Sequence, residues 1–236
     1  MNKLNKIRLP LDIMMTLVSI VLMGGNFLFP AEIVHEILGV GLFILWSVHI
    51  FLNRRWYASL AQASKLITST NANDRRSYGA IFKGKYNPCR IMQTVINCGI
   101  LICTIFLMIS GIILSNQLFT FLNIQSGLGF ARIAHLLSSH WYYLFMSLHI
   151  GLHMGRLFQN VAAKSLPRIL LVLTSLYGVY AFITCGVWKY LILKQQFFFF
   201  DLERGYILFA MDYISIIMLF ATISHFIAKL LKKRFN

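Results

Sequence analysis

Two stretches decide the fold: HEILGVGLFILWSVHIFL, residues 35–52, and HLLSSHWYYLFMSLHIGLH, residues 135–153. Each opens on a histidine, carries another fourteen positions later, and is otherwise largely apolar, aromatic or small. An α-helix turns 100° and rises ~1.5 Å per residue, so fourteen residues fall about 40° short of four turns and climb roughly 21 Å. His35 and His49 therefore share one face near opposite ends of one helix. His135 and His149 repeat the arrangement one hundred positions later.

The rest of the chain is equally apolar. Hydrophobic residues make up 58% and charged ones 12%, about half the charged share of a soluble domain, and the mean hydropathy is +0.70. Crossing a bilayer as helix takes about 20 mostly apolar residues. Six stretches qualify: Leu11–Phe29, Ile33–Leu52, Ile91–Leu114, Ala134–Met154, Ile169–Leu193 and Tyr206–Ile227. Nothing long and polar remains for a separate soluble domain. The expected fold is all-α, a polytopic membrane bundle of about six helices.

A net charge of +15 would suit a nucleic-acid partner, but its distribution argues against one. Most basic residues fall in alternate connections. Lys3, Lys6 and Arg8 precede the first helix, and Arg54, Arg55, Lys65, Arg75, Arg76, Lys83, Lys85 and Arg90 separate the second from the third. Arg156, Lys164 and Arg168 follow the fourth, and Lys229, Lys232, Lys233 and Arg234 end the chain. The other side holds only Arg132, Lys189, Lys194 and Arg204, beside Glu32, Glu36, Asp201 and Glu203. The positive-inside rule then puts both termini in the cytoplasm, with the basic loops against anionic headgroups.

No small-residue cleavage site follows Met23, so the first apolar run reads as a helix and not as a secretory signal. Cys89, Cys98, Cys103 and Cys185 form no C-x-x-C pair, which argues against c-type haem attachment or a clustered metal site.

Two helical hairpins repeat. One runs from Asp12 through VLMGG (21–25) to the first quoted stretch; the other runs from Gln93 through FLMISG (106–111) to the second. Residues 1–160 are thus expected to form a four-helix core, and 161–236 an accessory transmembrane hairpin. Internal repeats of this kind commonly place the functional site at their interface.

Ionisable residues inside membrane helices are costly and usually serve a purpose. Both histidine helices run in the same direction by the topology above, so His35 lies level with His135 and His49 with His149. Two facing imidazoles per level are what bis-histidine haem ligation needs. The expectation is two b-type haems stacked across the bilayer, with these four histidines as iron ligands. Gly39, with Ser139 opposite it, would let a porphyrin plane approach the backbone; Leu42 and Trp46, facing Tyr142 and Met146, would fill the gap between levels. Polar interhelical bonding and a single ion chelated by His149 and His153 are the competing readings.

His153 also points to the core, as an alternative inner ligand or as a partner of a propionate; its equivalent in the second helix, Asn53, favours support. His140 is expected to face another helix or lipid, and His225 to be structural. Arg54, Arg55 and Arg156 suit the propionates of an inner haem and Arg132 those of an outer one. Glu36 and Asp212 are candidates for handling protons, and Ser139, Ser147 and Ser47 for bonding the far nitrogens of the ligands.

At HEILGVGLFILWSVHIFLNRRWY (35–57), GKYNPCRIMQTVIN (84–97) and FLNIQSGLGFARIAHLLSSHWYYLFMSLHIGLHMG (121–155) the sequence resembles the flavinylation-associated cytochrome family of bacterial membrane proteins. The likeness covers most of residues 10–156. More distantly the layout is similar to the b-type cytochrome subunits of formate dehydrogenases and hydrogenases. The resemblance implies a haem-carrying bundle in the bacterial cytoplasmic membrane. It would move electrons between the quinone pool or a cytoplasmic donor and an extracytoplasmic acceptor, often a covalently flavinylated protein. Residues 58–82 read as an insertion, and the last helix pair extends beyond the similar region. No D-x-x-[ST]-G-A-[ST] flavin-acceptor segment is present, so any covalent flavin belongs to a partner.

The expected activity is electron transfer, in which cofactors supply the redox chemistry and the protein fixes spacing and potential. Axial histidine on both faces leaves no open position for oxygen. Three other classes compete: an enzyme that itself oxidises quinol or reduces extracellular iron, using Asp212, His140 or His225; a proton or ion transporter with a histidine relay; and a haem-free anchor for a redox partner. Visible absorption by the purified protein separates them.

Overall fold

The computed structural model describes residues 3–25, 32–56, 58, 88–153, 155, 165–198 and 205–235. All regular structure among them is helical: α1 (Lys3–Met23), α2 (Glu32–Leu52), α3 (Pro88–Leu114), α4 (Leu128–His153), α5 (Ser165–Thr184), the short α6 (Val187–Leu191) and α7 (Gly205–Phe235). Among the described residues, four helices are long and apolar enough to cross a membrane: Ile33–Leu52, Pro88–Leu114, Ser165–Thr184 and Gly205–Lys233. The first and fourth expected spans fall outside that set because α1 carries Arg8, Pro10 and Asp12, and α4 carries four histidines, three serines and three tyrosine or tryptophan side chains. In α1 it is the charged residues, Lys6 included, and in α4 the lowered hydropathy that sets the helix apart.

The boundaries follow local chemistry. Proline at the first position of α3 gives up an amide that would lack an intrahelical partner anyway. The expected span 169–193 breaks after Thr184, because Gly186 takes a left-handed conformation (φ 65°) that ends α5 and starts α6. The connection 115–127 holds a 3-10 turn at Thr120–Leu122 closed by left-handed Asn123.

α3 packs along α4, and α7 lies against both α4 and α5. Small residues permit this closeness: a Cβ on Gly151 would overlap the Ala221 carbonyl, and one on Gly178 the Ser215 carbonyl. Ser224 Oγ donates to Leu148 O at 2.7 Å, and the Tyr143 hydroxyl donates to the Tyr213 carbonyl. α2 is different. It stands against α1 and α3, its backbone scarcely approaches α4, and none of its described side chains is buried. Its inward face borders a cavity.

Candidate functional site

The two histidine helices run in the same direction, and their histidines meet in two tiers. In the first tier the His35 and His135 rings lie 6.3 Å apart, tilted by 56°. In the second, His49 and His149 lie 6.2 Å apart at 72°. A metal–imidazole bond of about 2.0–2.1 Å, with about 1.1 Å from nitrogen to ring centre, counted on both sides of a shared metal, predicts about 6.2–6.4 Å. Both tiers have the spacing of two imidazoles on opposite faces of one metal.

Hydrogen bonds fix the nitrogen available in three of the four rings. His135 Nδ1 meets Ser110 Oγ at 3.0 Å, and that hydroxyl donates its own proton to Phe106 O, so the imidazole is the donor. His149 Nδ1 donates to Asn97 Oδ1 and His49 Nδ1 to Asp12 Oδ1, each at 2.8 Å. An imidazole that donates from Nδ1 keeps its lone pair on Nε2, ready for a metal. The Asn53 amide is 3.3 Å from His49 Nε2, at the long end of hydrogen-bond range.

These acceptors are not the ones expected. Ser139, Ser147 and Ser47 bond carbonyls of their own helices, at Leu136, Tyr143 and Phe43. Serine in an apolar helix commonly satisfies itself one turn back, and the one ring nitrogen any of them approaches is His140 Nδ1, 3.3 Å from Ser139 Oγ and outside both tiers. Asp12 on α1 and Asn97 and Ser110 on α3 escape a search confined to the histidine helices. Their signal is the one that marks the histidines: a polar side chain inside an apolar helix.

A cavity of about 550 Å³ opens at the first tier, within the usual range for ligand sites. His35, His135, Gly39, Trp46, Tyr142 and Arg132 line it. A Cβ on Gly39 would meet nothing within 4 Å, so the glycine leaves open space between α2 and α4. Arg132 is exposed at its rim. Arg54 lies past the end of α2 with its guanidinium 4.4 Å above the Phe51 ring, and Arg156 lies outside the described residues.

His153 lies beside His149, ring centres 4.5 Å apart and tilted by 42°, and its Nε2 is 3.3 Å from the Gln93 amide. The ring that faces His49 is that of His149, 6.2 Å away. His140 faces α6: it is 1% exposed, stacks on Tyr190 at 4.3 Å and donates from Nδ1 to Leu136 O at 2.8 Å. Glu36, expected to handle protons, is a clasp. It accepts from Ser115 Oγ (2.6 Å), Asn116 N (2.9 Å) and Leu118 N (2.8 Å) and ties the 115–118 segment to α2. Asp212 is buried and accepts from the Tyr177 hydroxyl at 2.6 Å and the Cys185 thiol at 3.5 Å. All four cysteines are free thiols.

Among the described residues no three His, Cys, Asp or Glu side chains are grouped to hold an ion. Each tier instead offers two imidazoles about 6 Å apart, and the first borders an open cavity, which suits a metal whose other ligands belong to a flat macrocycle.

No family model, curated protein or solved structure matches this chain.

Proposed function

We propose that the protein is a six-span cytochrome of the bacterial cytoplasmic membrane, with both termini cytoplasmic, that carries electrons between two b-type haems. The supporting observation is the pair of imidazole tiers, at 6.3 and 6.2 Å, with three of the four rings holding their Nδ1 proton on a neighbouring helix. A relay of polar residues would need neither the matched spacing nor the open face of Gly39.

His35 and His135 would hold one haem, His49 and His149 the other. Each haem, when bound, supplies a one-electron carrier. The chain's own residues do the rest. Ser110, Asp12 and Asn97 lock ring orientation and tautomer, an outer set that commonly governs metal affinity. Trp46 and Tyr142 line the first-tier cavity with aromatic surface, while Gly39 leaves room for a planar group. Arg132 offers a positive charge at the cavity rim for a propionate.

The donor in this reading is a membrane quinol or a cytoplasmic-side reductant. The acceptor is an extracytoplasmic redox protein, a flavinylated one being the kind that the family resemblance suggests. The assignment of α1 and α4 as spans rests on their lengths of 21 and 26 residues and on their packing beside apolar neighbours.

A reduced-minus-oxidised spectrum with a pyridine haemochrome assay tests the proposal. Two b haems per chain are expected, with His35→Ala and His135→Ala losing the same one and His49→Ala and His149→Ala the other. A colourless, iron-free preparation from haem-replete cells would refute it.

A further inference from the structure

We infer that Asp12 makes the His49/His149 tier the lower-potential of the two, an inference that rests on the haem reading above. Each secured ligand donates its Nδ1 proton, but to different chemistry. His135 donates to the Ser110 hydroxyl and His149 to the Asn97 amide carbonyl, both neutral. His49 donates to a carboxylate oxygen at 2.8 Å. A hydrogen bond to a carboxylate is charge-assisted and about twice as strong as a neutral one. It draws the ring proton towards oxygen, leaves the imidazole more electron-rich and raises its basicity as a ligand. A more basic axial ligand stabilises the oxidised iron over the reduced iron, and bonding around the ligands is one of the protein's levers on potential.

The ordering rests on this direct bond rather than on the surrounding charges. Asp12 is half exposed, which screens its long-range field but leaves the direct bond in place. Arg54 and Arg55 at the same end are exposed and screened as well. Arg8 spends a guanidinium donor on the Leu52 carbonyl at 2.7 Å. The first tier also has a carboxylate next to a ligand in sequence, Glu36 beside His35. Its oxygens accept from Ser115, Asn116 and Leu118, so it shares no imidazole proton and acts on His35 only through space. Asp12 is a positioning residue that acts through His49.

The repeat sharpens the comparison. Asp12 on α1 stands to His49 on α2 as Asn97 on α3 stands to His149 on α4, so one tier contains a carboxylate and its near-isosteric amide on opposite ligands. Exchanging one for the other, in either direction, changes charge with little change of shape.

Potentiometric titration of the purified full-length protein, read in the haem absorption bands, tests the inference. Wild type should show two one-electron steps. Asp12→Asn should move the lower step upward by roughly tenfold in reduced-to-oxidised ratio at fixed potential, 59 mV for one electron, and leave the upper step in place. Asn97→Asp should move the same lower step further down. Where either substitution strips a haem, the step that disappears must be the lower one. Movement or loss of the upper step, or two haems indifferent to both substitutions, would overturn the ordering while leaving the haem reading intact. An iron-free wild-type protein would instead remove the haem reading itself.

Discussion

Asn97 on α3 accepts a hydrogen bond from His149 Nδ1 on α4 at 2.8 Å, across 52 residues of sequence. The contact fixes which nitrogen of His149 carries the proton. Asn97→Ala is expected to weaken retention of one haem by about 10–100-fold, as loss of such outer partners commonly does. Haem content should fall towards one per chain while the other haem's spectrum persists. Equal loss of both haems would contradict separate tiers.

Ser110→Ala tests the other tier. It leaves the His135 Nδ1 proton without its acceptor, at a cost of about 1–3 kcal/mol for a buried donor. Thermal unfolding of the haem-loaded protein should occur at lower temperature, and Ser110→Thr should restore it. No change with the alanine variant would mean that Ser110 merely caps the Phe106 carbonyl.

Gly39 and Gly151 make a paired prediction. Gly39→Leu extends into open space, so the helical content should be unchanged while first-tier haem is excluded. Gly151→Ala pushes a methyl group against the backbone at Ala221, an overpacking that costs about 1–3 kcal/mol. It should destabilise the bundle with or without haem. Circular dichroism and haem content measured on both variants separate the two effects.

His153→Leu should retain two haems, whereas His149→Leu should retain one. The His149 ring is the one set at 6.2 Å from His49, and His153 lies beside it, one turn further along α4. Haem stoichiometry decides between them. Loss of one haem from the His153 variant alone would exchange their roles.

Glu36→Ala should free the 115–118 segment without removing colour. Two backbone amides and the Ser115 hydroxyl lose their shared acceptor. Limited proteolysis should cut there faster than in wild type. Cleavage at an unchanged rate would show that the loop is held by other means.

The legible part of the molecule was the part that depends on periodicity. Helix positions follow from apolar runs, and a fourteen-residue spacing puts His35 with His49, and His135 with His149, on shared faces. The co-orientation of α2 and α4 also follows, because each is the returning arm of a repeated hairpin. The break at Gly186 was not legible, since a lone glycine within an apolar run is compatible with continuing helix. Nor was the clasp at Glu36, whose partners are mostly backbone amides of a loop.

The sequence alone therefore determined the helices and the register of the four histidines, because both are properties of a chain wound at 3.6 residues per turn. Only the tertiary structure decided which nitrogen each secured ring presents and what holds it. Asp12, Asn97 and Ser110 lie 37, 52 and 25 residues from the histidines they bond. Contacts between helices depend on crossing and rotation, which are set by packing, and no repeat within a single helix encodes them.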